Sequence, residues 1–195
     1  SIFMQNSKLE LVKQASTGDR GAIEKLIKIE QKNIYSMLFY LKKDDNEISD
    51  IMQDILIKLS SKITKLKNPL SFKVWLNHII VNSYYDYLRK SKKATKIVSL
   101  NISDENEKEI LEIPDNTLNP QISILSEEMD SIIKNSIQNL PQHYKIPLTL
   151  REIQGLSYDE ISNITKTSLG TVKSRISRAR TLIQTEINKY AKNEQ

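Results

Sequence analysis

The sequence predicts an all-α protein built as two small helical domains joined by a flexible linker. Glycine is scarce, four in 195 residues. On both sides of the middle, apolar residues recur every three or four positions, the helix period, and no alternating strand pattern of convincing length competes with it. Between about Ala94 and Gln121 that period lapses. Asp104, Glu105, Glu107, Glu109, Glu112 and Asp115 gather there with Pro114 and Pro120, the composition of an extended connector. The expected division is a first domain over 1–93, an acidic linker over 94–121 and a second domain over 122–195. No fixed-period repeat is visible, which argues against a solenoid.

In the first domain, Gly18 suits a left-handed helix end and Asp19 the N-cap of the next helix, a tight corner. Helix two then runs from about Ala22 through Leu26, Ile27, Ile34, Leu38 and Leu41 and ends in the charged turn 42–46. In helix three, Ile48, Ile51, Met52, Ile55, Leu56, Leu59 and Ile63 form a core stripe, leaving Asp50, Gln53, Asp54 and Ile57 on the outer side. The residues alone leave two readings of that side open, a solvated face or a partner surface with an exposed isoleucine among carboxylates. Helix four is expected to be capped by Ser71, with Phe72, Trp75, Leu76, Ile79 and Ile80 in the core. It continues through Asn82, Tyr84, Tyr85, Asp86 and Tyr87 into Arg89, Lys90, Lys92 and Lys93. Aromatics that stack on bases, an amide that bonds a base edge and cations for phosphate suit melted DNA. Core tyrosines with wet hydroxyls and a solvated basic helix end are the competing reading.

The second domain carries the most informative segment. Ser157 with Glu160 three residues on reads as a capping box, and Ile161 and Ile164 give the short helix one apolar face. A turn over Thr165–Thr167 follows. Ser168 can cap a second helix in which Val172, Ile176, Ala179 and Ile183 bury one stripe, while Lys173, Ser174, Ser177, Arg178 and Thr181 form the opposite one. A packed back and a front of cations and hydroxyls suit the major groove, so the segment reads as a helix-turn-helix.

Composition excludes other chemistry. There is no cysteine, so disulfides and thiolate metal sites are ruled out, and two isolated histidines do not make a zinc site. No catalytic residue, metal site or cofactor is expected. No apolar run approaches the roughly 20 residues that span a bilayer, and the first residues lack both a basic start and a signal core. A cytoplasmic protein without membrane insertion is therefore expected. The net charge of +5 is mild, but its distribution, basic near 89–93 and 166–180 and acidic between, points toward a polyanionic partner.

Together these residues resemble the extracytoplasmic-function (ECF) group of sigma-70 family RNA polymerase sigma factors. The resemblance rests on Ala15, Gly18, Asp19 and Ala22, on 50–55, and on 75–82 with Asp86 and Arg89. In the second domain it rests on Leu140-Pro141, 158–161 and 170–180. It implies a sigma factor, not an enzyme, that directs promoter-specific initiation. Asp50, Gln53, Asp54 and Ile57 would dock on the clamp helices of the largest subunit of core RNA polymerase. Asn82, Tyr85, Arg89, Lys90, Lys92 and Lys93 would hold the melted minus-ten element of promoter DNA. Lys173, Ser174, Ser177 and Arg178 would read the minus-thirty-five element, with Thr171 and Arg175 on the same helix and Tyr158 and Asp159 touching DNA nearby. Arg175 and Arg180 are left between phosphate and the domain's own acidic groups, and an anti-sigma factor is a further partner the resemblance allows. The acidic linker would run toward the RNA path.

The chain departs from the family at Lys166, where glycine is usual in the turn. A left-handed residue there would cost roughly 1 kcal/mol unless the turn is reshaped. Ser162 replaces a frequent alanine and is expected to be benign. Two other classes compete: a stand-alone helix-turn-helix regulator, normally a symmetric dimer on a palindrome, and an enzyme such as a recombinase. The second would need an activated nucleophile or a metal-holding carboxylate set that the sequence does not supply.

Overall fold

The computed structural model describes residues 2–91 and 127–193, and among these every regular element is helical. The expected linker over 94–121, together with Lys92 and Lys93, lies outside the described residues. The chain divides into two compact units, Ser1–Lys92 and Lys93–Gln195.

The first unit consists of α1 (Ile2–Ser16), α2 (Arg20–Leu41), α3 (Asp45–Lys62) and α4 (Phe72–Lys90), with two short 3₁₀ turns between α3 and α4. The corner between α1 and α2 forms as its residues predict. Gly18 has φ +91, which only glycine adopts without strain, and the Asp19 carboxylate accepts a bond from the Ala22 amide at 3.0 Å. Asp44 caps α3 by accepting from the Asn46 and Glu47 amides, so the back of the expected 42–46 turn is already the first turn of this helix. Leu26, Ile34, Leu38, Ile51, Ile55, Leu59, Leu76, Ile80 and Tyr84 are buried in the shared core. Each such aliphatic side chain contributes roughly 1.5–3 kcal/mol relative to exposure, so packed stripes rather than helix propensity hold the unit together.

Two expectations for α4 are corrected. Ser71 stands at its N-terminus but makes no side-chain cap; Asn68 instead accepts from the Leu70 amide, and Pro69 opens a 3₁₀ turn that leads into α4. Proline fixes the entry one turn earlier than the helix period suggested. Trp75 is half-buried rather than core, tilted against the buried Phe72 ring at 5.9 Å. As in the competing reading, Tyr84 is a core residue, and both hydroxyls bond within the protein: Tyr84 donates to the Leu41 carbonyl at 3.3 Å and Tyr87 to Glu47 at 2.5 Å.

The second unit contains α5 (Glu127–Gln138), α6 (Gln142–Glu152), α7 (Tyr158–Thr165) and α8 (Leu169–Asn193). Helix α6 is its centre, buried from Tyr144 through Leu150, and the long α8 packs on α5, α6 and α7. Among the described residues, no helix is long and apolar enough to cross a membrane.

Candidate nucleic-acid interface

Helix α7 is held at its start by the expected capping box. The Ser157 hydroxyl accepts from the Glu160 amide at 3.2 Å, and the Glu160 carboxylate accepts from the Ser157 amide at 2.8 Å. The turn after it is tight and left-handed at Lys166 (φ 55, ψ 40). Three hydroxyls hold that turn. Ser162 donates to the Thr167 carbonyl at 2.5 Å, Thr165 to the Ile161 carbonyl at 2.8 Å, and the Thr165 and Thr167 hydroxyls bond each other at 2.8 Å. The turn therefore keeps the left-handed geometry at Lys166, and these side-chain bonds offset part of its strain. Ser162, expected to be benign, is one of those bonds. Ser168 then caps α8 by accepting from the Thr171 amide at 3.2 Å.

Along α8, Val172, Ile176, Ala179 and Ile183 are buried, each 2% exposed or less. Lys173, Ser174 and Arg178 are exposed on the other side, while Thr171, Arg175 and Ser177 are half-buried at its margins. Asp159 is exposed at the start of α7. The half-buried Tyr158 ring has two cations near it, the Arg151 guanidinium 4.5 Å and the Lys173 ammonium 6.0 Å from its centroid. Such cation–π contacts restrict the Lys173 side chain at modest energy. Sequence reasoning did not find this pairing, because Arg151 belongs to another helix.

Of the two fates left open for Arg180, the domain's own acid holds. Its guanidinium donates to Glu152 on α6 through Nε at 3.0 Å and Nη2 at 2.5 Å. Burial works against the charge, but the Glu152 carboxylate outweighs it and raises Arg180 above the ordinary guanidinium value. Arg180 thus binds α8 to α6.

In the first unit, Asn82, Tyr85, Asp86, Arg89 and Lys90 follow the spacing of three and four and form one stripe of α4, opposite Ile80, Tyr84 and Leu88. Asn82, Arg89 and Lys90 are exposed and Tyr85 is half-buried. Asp86 pairs with Arg89, and this pairing holds its carboxyl below the usual range.

On α3, Asp50, Gln53, Asp54 and Ile57 are all exposed, Ile57 at 61%. The expected core stripe is only partly buried, because Met52 and Leu56 line an open groove with Ile27 and Ile57 rather than the interior. Asp54 pairs with Lys58 at 2.8 Å. Near the N-terminal end of α3, Glu47 binds both Lys42, at 3.0 Å, and the Tyr87 hydroxyl. The Tyr87 bond is the main cause that lowers the Glu47 carboxyl, and Glu47 in turn pushes the Tyr87 phenol up to about 12.

A capped short helix, a tight turn and a second helix with a packed back and a basic front define the class: a helix-turn-helix protein, with a separate helical unit before it. Residues 131–183 match the family of sigma-70 region 4, and residues 26–94 match sigma-70 region 2. The ECF RNA polymerase sigma-E factor of Haemophilus influenzae is 32% identical over 91% of this chain and 93% of its own length. The sigma-E factor of Escherichia coli is 30% identical over 91% of this chain and 92% of its own. Among solved structures, the Bartonella quintana sigma factor RpoE, in complex with the anti-sigma factor NepR, superposes with a TM-score of 0.60 at 21% identity, over 85% of this chain and 96% of its own. CnrH in complex with the cytosolic domain of CnrY gives 0.63 at 17%, over 93% and 97%. The chain belongs to the sigma-70 family of RNA polymerase sigma factors, in its ECF group. It is a sigma factor that directs promoter-specific transcription.

Proposed function

We propose that the chain works as a non-enzymatic initiation factor in the cytoplasm, dividing three tasks among three helix faces. Core RNA polymerase is engaged by Asp50, Gln53, Asp54 and Ile57 on α3, which meet the basic clamp helices of its largest subunit. The melted minus-ten element is held by Asn82, Tyr85, Arg89 and Lys90 on α4, continued by Lys92 and Lys93. The minus-thirty-five element is read by Lys173, Ser174, Ser177 and Arg178 on α8, with Thr171, Arg175, Tyr158 and Asp159 at its edge. The domain division at 1–93, 94–121 and 122–195 follows these tasks, the acidic linker running toward the RNA path. The carrying observation is that Asp50, Gln53, Asp54 and Ile57 share one face of α3, Asn82, Tyr85, Arg89 and Lys90 one face of α4, and Lys173, Ser174, Ser177 and Arg178 one face of α8, each with a buried stripe behind it.

Charge supports this division of roles. An acidic face with an exposed isoleucine suits a basic protein surface, since complementary charge supplies steering and register, and it would be repelled by DNA. The α4 and α8 faces carry the cations phosphate requires. An anti-sigma factor is a further partner of this reading, as NepR is of the Bartonella quintana sigma factor RpoE.

Titrating core polymerase with Asp50→Lys or Asp54→Lys tests the docking assignment. Association weakens, DNA binding by the second unit is retained, and stability moves by less than about 0.5 kcal/mol because both positions are exposed. Unchanged polymerase affinity in both variants removes the α3 face from the reading.

A further inference from the structure

Lys58 takes no part in the three tasks, yet it stands between two of the proposed faces. Its ammonium lies 2.8 Å from Asp54 on α3 and 3.6 Å from Asp86 on α4, and donates to the buried Ser83 hydroxyl at 3.0 Å. Asp86 in turn pairs with Arg89. Four charges of alternating sign, Asp54, Lys58, Asp86 and Arg89, therefore run from the docking face to the minus-ten stripe. The Lys58 side chain is only 25% exposed, whereas Arg89 is 59% exposed. Lys58 is thus the most covered member of this row and Arg89 the most open.

We propose that Lys58 is a positioning residue that couples docking at Asp54 to the availability of Arg89 for DNA phosphate. This rests on the docking and minus-ten roles given above. In the free chain Lys58 sits closer to Asp54, so Asp86 is left to hold Arg89. A polymerase cation arriving at Asp54 takes up that carboxylate and repels the Lys58 ammonium, whose remaining partners are Ser83 and Asp86. The 3.6 Å separation from Asp86 leaves room for Lys58 to close. Once Lys58 neutralises Asp86, Arg89 is held less tightly and turns to phosphate. By linkage, DNA on Arg89 strengthens docking by the same factor.

The test needs no polymerase, because Asp54→Asn removes the carboxylate as docking would. Binding of the full chain to a fluorescein-labelled, mixed-sequence single-stranded DNA of about 15 nucleotides should tighten about two- to fivefold in Asp54→Asn, the size of effect a half-exposed ion pair carries. The control is Asp50→Asn, which removes the same charge about 12 Å along the helix from Lys58 and should change affinity far less. The Asp54→Asn gain should vanish when combined with Lys58→Met or with Asp86→Asn, and should survive with Lys58→Arg. An equal gain from Asp50→Asn, or a gain that persists in the Asp86→Asn background, overturns the coupling even if Lys58→Met fails to fold. Failure of the docking role itself is read separately, as unchanged polymerase binding by Asp54→Lys.

Discussion

Lys166 carries a measurable residue-scale cost. A lysine at φ 55 pays the left-handed penalty that glycine avoids. Lys166→Gly is therefore expected to stabilise the second unit by about 0.5–1 kcal/mol, less the loss from the freer unfolded chain, seen as a higher thermal midpoint. A lower midpoint means that the Ser162, Thr165 and Thr167 bonds have removed the strain entirely. Two arginines of α8 separate in a similar way. Arg180→Ala leaves Glu152 half-buried without its cation and should destabilise the unit by roughly 1–3 kcal/mol, with weaker DNA binding following from that loss. Arg178 is exposed, so Arg178→Ala should leave stability within about 0.5 kcal/mol while costing about 1–3 kcal/mol at one base pair. Unfolding and binding to single-base variants, measured on the same proteins, distinguish the two; a reversed pattern places the helix phase in error.

At the scale of elements, the joint between the start of α3 and the end of α4 is the Glu47–Tyr87 bond. Glu47 is lowered in the folded state, so its contribution to stability is present above the ordinary glutamate value near 4.3 and is lost as pH falls through the lower folded value. Tyr87, raised to about 12, contributes below roughly pH 10 and loses that contribution as pH rises through 12. Tyr87→Phe should flatten both limbs of stability against pH, most visibly below pH 5, and unchanged limbs would show that the bond does not hold the joint. Much of this level was legible beforehand: the stripe of α8, the Ser157 capping box and the Gly18-Asp19 corner depend on residues three or four apart. What escaped depends on distant partners. The period of α4 could not reveal that Asn68 and Pro69 set its entry, that the Tyr84 hydroxyl reaches Leu41, or that Arg180 finds Glu152 on another helix. The split of the α3 stripe, with Met52 and Leu56 in a groove beside Ile27 of α2, likewise depends on how α2 and α3 pack.

In the whole molecule, polymerase and DNA contacts are separable within one chain under the proposed division of faces. Asn82→Ala should keep polymerase affinity yet impair promoter melting, because an exposed amide on the α4 stripe can form paired hydrogen bonds with an extruded base. Full permanganate reactivity of the minus-ten segment with this variant would return Asn82 to the ordinary surface. Promoter-specific initiation is measured by reconstitution on DNA fragments from the source genome, with core polymerase alone, this chain alone, and the two together. Discrete, promoter-specific transcripts are expected only from the combination, and they should be lost with Asp54→Lys. Specific DNA binding by the chain alone as a dimer on a palindrome, with no effect on initiation by core polymerase, would contradict that expectation.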